Sequence, residues 1–211
     1  MAQNIKLDFV IVEHSLLKPF TIKEAIIFKA ICIKAKGKKL NEFPYTQNQI
    51  PKLTGISKNT VIEALKKFQD LELINILDNH KIHLSSNNID EVFLQLDHDY
   101  IRDGEKYRNG LTPVNVKYIH FNFELCKKLK LNEIQYSVLH TYYILSKKYG
   151  YAFIGKSYFI RNFRIKERQF KNIKSKLIKD GYIYKRDKSE MIYLSQTTID
   201  MFKNCIIEKV S

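Results

Sequence analysis

The two halves of this 211-residue sequence carry the same succession of helix starts, apolar stripes and turn residues. A repeat of that length dictates two similar folding units in place of one large one. In the first half, Thr21-Ile22-Lys23-Glu24 has the Thr-x-x-Glu form of a capping box, in which hydroxyl and carboxylate satisfy amides left open at a helix start. Asn132-Glu133-Ile134-Gln135 stands at the matching place in the second half. Each cap follows an apolar residue, Phe20 or Leu131, and opens an apolar helix through Ile27, Phe28 and Ile31, or through Val138, Leu139 and Tyr142.

The parallel continues downstream. Thr46-Gln47-Asn48-Gln49 reads as a further cap, leading through Ile50 and Leu53 to Thr54-Gly55-Ile56-Ser57, a short helix followed by a tight turn. Pro51 within it is tolerated only because that helix is short. Ser57 is a good N-cap, and Val61, Ala64, Leu65 and Phe68 form one stripe of a third helix that stops near Leu71. Leu73–Leu77 and Lys81–Leu84, separated by Asp78-Asn79-His80, read as two short strands around a turn. The second half repeats the order. Ser157–Phe163 is its short helix, Ile165–Lys179 its third helix with Phe170, Ile173 and Leu177 on the stripe, and Tyr182–Tyr184 and Met191–Leu194 flank its turn. Upstream, Phe9–Val12 has a counterpart in Tyr118–Phe121.

The run Gln49-Ile50-Pro51-Lys52-Leu53-Thr54-Gly55-Ile56-Ser57-Lys58-Asn59-Thr60-Val61-Ile62-Glu63-Ala64-Leu65-Lys66-Lys67-Phe68, ending in Leu73-Ile74, resembles the winged helix-turn-helix of bacterial DNA-binding proteins over residues 8–84. The resemblance implies a mainly α fold with small β-hairpins (α+β), two winged helix-turn-helix domains in tandem, and a third helix that enters the major groove. Gly55, Ser57 and Thr60 match the family's turn glycine and Ser/Thr-rich helix start. The second copy departs from the pattern. Arg164 stands where Gly55 stands and is poorly suited to a positive φ, so its turn is expected to be built differently; Lys174 replaces apolar Leu65. Lys179-Asp180-Gly181-Tyr182-Ile183 returns to the family's usual approach to the wing. The expected domains are 1–84, a linker over 85–116, and 117–211 with a C-terminal helix.

Composition narrows the partner. A net charge of +14 and 45% hydrophobic residues describe a globular, strongly basic protein that favours a polyanion. Lysine-rich codon usage would also raise the charge, but the charge is localised. Residues 8–84 hold 12 Lys/Arg against 8 Asp/Glu, residues 117–194 hold 18 against 6, and residues 85–116 hold 3 against 6. Codon bias does not by itself concentrate cations in one copy and acids in the connector.

The candidate DNA-binding residues follow from this map. In the first copy they are Thr46, Gln47 and Asn48, then Ser57, Lys58, Asn59 and Thr60 at the third-helix start, and Lys81 in the hairpin. Mixed donors and acceptors at a helix start are the chemistry that reads base edges. Ser57 reads equally as a plain cap, and Lys66 and Lys67 as a solvated face. In the second copy the candidates are Lys156, Arg161, Arg164, Lys166, Arg168, Gln169, Lys171, Lys185, Arg186 and Lys188, with Lys174 and Lys176 adding to the charge of the third helix. Such cations neutralise phosphates and carry little sequence information. The expectation is a division of labour: the first copy reads sequence and the second grips phosphates.

Chemistry of other kinds lacks its residues. There is no phosphate-cradling glycine loop, no His-Glu-x-x-His and no nucleophile elbow, so no catalytic residue, cofactor or metal ligand is assigned and the chain reads as a non-enzyme. Asp97-His98-Asp99 lacks further ligands and reads as a solvated loop, and His80 and His83 decorate the first wing. Cys32, Cys126 and Cys205, unpaired in spacing, read as buried free thiols. No run of ~18 apolar residues and no basic-then-apolar leader is found, so a cytoplasmic location is expected. Ile199, Phe202 and Ile206 share a helical face that packs on the second copy or on a dimer partner. Ile22, Ile26 and Ile33 lie off the main stripe of the first helix and need covering, by the other copy or by a second chain.

Three functions fit these expectations: a transcriptional regulator at an operator, a plasmid or phage replication initiator that binds origin repeats without nicking, and a protein-interaction module. The charge of the second copy speaks against the third. Two copies on one chain span two half-sites roughly 10 base pairs apart, which makes a homodimer optional.

Overall fold

The computed structural model describes residues 7–35, 42–44, 49–77, 81–85, 116, 118–186 and 190–207, and the chain divides into two units, Met1–Pro113 and Val114–Ser211. Among the described residues it is mainly helical with small antiparallel sheets, and no helix is long and apolar enough to cross a membrane. The expected linker falls almost wholly outside the described residues, as do Asp97-His98-Asp99 and His80.

In the first unit, strand β1 (Phe9–Glu13) and a 3-10 turn (His14–Leu17) lead to helix α1 (Ile22–Ala35). The capping box forms: the Thr21 amide donates to Glu24 Oε2 at 2.7 Å and the Glu24 amide to Thr21 Oγ1 at 3.4 Å. Strand β2 (Glu42–Pro44), helix α2 (Gln49–Thr54), helix α3 (Lys58–Asp70) and strands β3 (Ile74–Ile76) and β4 (Lys81–Leu84) follow. The sheet has the order β2-β4-β3 and is antiparallel throughout, with Phe43 and Ile76 both opposite Ile82. β2 is absent from the sequence expectations. Pro51 is the third residue of α2, in the first turn, where its missing amide costs no helical bond.

α1 carries most of this unit's core. Ile22, Ala25, Ile26, Ile27, Phe28, Ala30 and Ile31 are all buried, so a helix apolar on several faces is satisfied by β1, α2, α3 and β2 packed around it. Ile22 and Ile26 are thus covered, whereas Ile33 stays 42% exposed. Phe20, Phe28 and Phe68 meet as a triangle with ring centroids 5.1–5.7 Å apart. Burying each such ring stabilises by about 2–3 kcal/mol.

The second unit repeats the order: β5 (Tyr118–Asn122), α4 (Phe123–Lys128), α5 (Glu133–Tyr149), α6 (Lys156–Phe163), α7 (Glu167–Lys179), β6 (Ile183–Tyr184), β7 (Tyr193–Leu194) and a closing helix α8 (Gln196–Ile207). Its capping box is complete, with the Asn132 amide donating to Gln135 Oε1 at 3.1 Å and the Gln135 amide to Asn132 Oδ1 at 2.9 Å. Phe202 of α8 stacks on Tyr143 at 4.6 Å and meets Tyr136 and His140, so the closing helix packs on its own unit.

The two units share a register. Ser57 and Lys166, which precede α3 and α7, stand 109 positions apart, as do the first residues of β1 and β5. Both third helices leave by the same device. The Leu73 amide reaches back to the Phe68 carbonyl at 2.9 Å and the Tyr182 amide to that of Leu177 at 3.0 Å, with Glu72 (φ +55°) and Gly181 (φ +75°) left-handed in between. In place of β2 the second unit has one bridge, Ala152 opposite Ile192, matching Phe43 opposite Ile82.

Three expectations are corrected. Arg164 was expected to force a different turn, yet it adopts the left-handed conformation (φ +51°) that Gly55 adopts at φ +72°. The surrounding helices hold a conformation that costs a non-glycine residue about 1–2 kcal/mol. Lys67 is not on a solvated face. Its ammonium donates to the Pro19 carbonyl at 2.8 Å and to Glu24 Oε2 at 2.9 Å, and lies 5.4 Å from the centre of the Phe20 ring. Lys66 is exposed as expected. None of the three cysteines is in a disulfide among the described residues, and only Cys126 is buried as expected; Cys32 and Cys205 are half-buried.

Candidate nucleic-acid interface

Ser57 caps α3 through its side-chain oxygen, which accepts from the Thr60 amide at 3.4 Å, and the two hydroxyls lie 2.9 Å apart. Capping therefore occupies both Ser57 and Thr60. Lys58 and Asn59, on the first turn, are exposed. The outer face of α3 then runs through Ile62, Glu63, Lys66, Gln69 and Asp70, all exposed. With Lys67 committed to Glu24, this face carries little net charge. Lys81 opens β4 and is half-exposed. Thr46, Gln47 and Asn48 lie outside the described residues.

The second unit differs in kind. Arg161, Arg164, Lys166, Arg168, Gln169 and Lys171 are all exposed, on α6, the turn and α7. Glu167 gathers two of the neighbouring cations: Lys156 at 2.8 Å and Lys171 at 3.0 Å. Hydrogen bonds from these two ammoniums hold its carboxyl below the usual carboxylate range. At the helix start this carboxylate also meets the favourable end of the α7 dipole. The hairpin adds Lys185 and Arg186, both exposed, while Lys188 lies outside the described residues. Lys185 stands 3.4 Å from Glu190. It also lies near half-buried Lys174, whose ammonium is held below its ordinary value first by burial and then by the positive charge of Lys185. Lys174, which replaces Leu65, thus links the cations of α7 to those of the hairpin. A local positive field results, one that a polyanion relieves.

A row of aromatic rings crosses the same hairpin, and the sequence reading missed it. Tyr149 meets Tyr151 at 6.1 Å, Tyr151 meets Tyr193 at 6.0 Å, and Tyr193 stacks on Tyr184 at 5.5 Å. The Arg186 guanidinium lies 4.5 Å above Tyr193. The signal was present as alternation: Ile183, Ile192 and Leu194 point inward and are buried, while Tyr184 and Tyr193 take the other face. Only the cross-strand register, which the sequence does not carry, turns that alternation into a row.

Comparison of the chain with protein-family models, with curated proteins and with solved structures returns no match.

Proposed function

We propose that the chain is a double-stranded DNA-binding protein of the tandem winged helix-turn-helix type, acting as a transcriptional regulator. In this reading α3 and α7 are recognition helices, and the β3–β4 and β6–β7 hairpins are wings. The first unit reads base edges through Lys58 and Asn59, and the second grips phosphates through Arg168, Lys171, Lys185 and Arg186. One observation carries it: two units in one register present third helices of opposite electrical character, one nearly neutral and one surrounded by exposed cations. Fold alone would not distinguish a DNA reader from an interaction module. Charge localised on the third helix of the second unit supports the DNA reader.

Library selection of bound duplexes tests the reading, followed by salt titration of the selected site. Lys185→Ala/Arg186→Ala should lower the slope of log affinity against log salt by about 2, since each phosphate contact contributes about 0.9. Asn59→Ala should leave that slope nearly intact and relax the preference for one base position by roughly tenfold. A wild-type protein that binds no duplex above background, or a slope unmoved by loss of both hairpin cations, refutes the proposal. A promoter-overlapping site among the selected sequences supports regulation; iterated repeats beside an AT-rich segment would replace it with replication initiation.

A further inference from the structure

The aromatic row of the second unit is larger than its hairpin requires. Phe153 is 63% exposed, Tyr149 57% and Tyr184 41%; Tyr149 and Tyr184 are joined through Tyr151 and Tyr193, and Tyr151 and Phe153 flank Ala152, which bridges Ile192 with both bridge residues almost wholly buried. The first unit supplies an internal control. Its sheet has the same register, with Glu42 and Asn75 both opposite His83, where the second unit places Tyr151 and Tyr184 beside Tyr193. Pro44 occupies the position 109 residues before Phe153. A hairpin of the same register therefore forms with Asn75 and His83 in place of Tyr184 and Tyr193, so its pairing does not demand those two rings.

We infer that this row is a stacking platform for the unpaired bases of single-stranded DNA. Aromatic faces bind any base by stacking, and in a duplex those base faces are already covered by their neighbours. The occupant's charge follows from the setting: Arg186 lies on the row itself, Lys185 precedes it, and residues 117–194 hold 18 Lys/Arg against 6 Asp/Glu. An apolar protein partner would be poorly matched to that surround, whereas a strand with one phosphate per base suits both rings and cations. The inference rests on the DNA-binding reading above and assigns a second form of DNA to a neighbouring surface of the same unit.

The test uses the full chain and two fluorescent probes, an oligodeoxythymidylate of about 20 nucleotides and a duplex from the library selection, read by anisotropy. Tyr149→Ser/Phe153→Ser, two exposed rings outside the β6–β7 wing, should weaken oligodeoxythymidylate binding at least about tenfold and leave duplex binding within about twofold. Tyr184→Phe should retain single-strand binding, because it keeps the ring and loses only the hydroxyl. The chain has no tryptophan, so its tyrosine emission should be quenched by the oligonucleotide in the wild type and less so in the double variant. Unchanged single-strand affinity in that variant overturns the platform. So does tighter binding of oligouridylate than of oligodeoxythymidylate, or a shift from dimer to monomer in sedimentation with single-strand binding kept. Single-strand binding that depends on the row in a protein that binds no duplex would instead refute the double-stranded reading and leave the platform standing.

Discussion

His140 should make the second unit sensitive to acid. Its ring lies wholly inside the unit, between Tyr136, Tyr143 and Phe202, with the ring of His120 centred 6.5 Å away. Its Nδ1 has no hydrogen-bond partner among the described residues. Burial, and then the positive charges of His120 and Lys147, push its pKa down from 6.5 to about 3. The folded pKa lies below the unfolded one, so between these values the unfolded chain binds a proton that the native unit refuses. Stability is complete above pH 6.5 and falls as pH drops from there toward 3, by about 1.4 kcal/mol per pH unit. At pH 5, well above the folded value, the loss is set by the unfolded pKa alone and amounts to about 2 kcal/mol relative to pH 8. Urea denaturation of the full chain at both pH values, compared with His140→Leu, measures it. The leucine variant keeps an apolar group in the ring cage and removes the proton, so its second-unit transition should lose about 2 kcal/mol less on acidification. His14, lowered to about 4 by burial, adds an effect of the same sign in the first unit and remains in both proteins. Equal pH dependence in wild type and variant, or a His140 ring that titrates near 6.5 by NMR, would refute the argument.

Three further outcomes follow from local geometry. Gly55→Ala should destabilise the first unit by about 1 kcal/mol in urea melts, because φ is +72° and nothing lies within 4 Å of the added Cβ; a loss several times larger would mean a clash that this geometry excludes. Ser57→Ala removes the cap of α3 and should cost about 1 kcal/mol by the same assay, and Ser57→Asn should recover most of it. Burial raises the thiols of Cys32 and Cys126 to about 11 and about 12, so at pH 8 their thiolate fractions are on the order of one part in a thousand or less. Mass-resolved alkylation of the native protein should leave both unmodified over a period that fully labels the urea-unfolded chain.

What the sequence discloses is mostly local. The boxes at Thr21 and Asn132, the Ser57 cap and the stripes of α3 and α7 depend on residues three or four apart, and each is found where the pattern places it. What escapes is set by partners far along the chain. Glu42–Pro44 has no strand alternation and becomes β2 only because β4 offers free main-chain groups. Arg164 contradicts local preference, since the packing of α6 against α7 outweighs the conformational cost of one residue. Lys67 reads as a solvent lysine until Glu24, 43 positions earlier, is brought beneath it. At the candidate interface the cations were legible by counting, and Glu167 and Lys171 stand at helical i,i+4 spacing, but the pairs Lys156–Glu167 and Lys185–Glu190 were not legible, because neither joins positions that a helical period relates.

The bond from Lys67 to Glu24 also bears on how the first unit opens. A helix terminus is ordinarily the first part of a fold to fray, with its amides exchanging on their own. Here the carboxylate that closes the first turn of α1 is held by the third helix, and the same ammonium holds the Pro19 carbonyl just upstream. The second unit reaches a similar end by another donor, the Tyr182 hydroxyl on the Leu129 carbonyl at 2.7 Å. In each unit the entrance to the first helix is fastened to the far end of the third helix. These termini then belong to the cooperative core, and their amides should exchange with the whole unit instead of ahead of it.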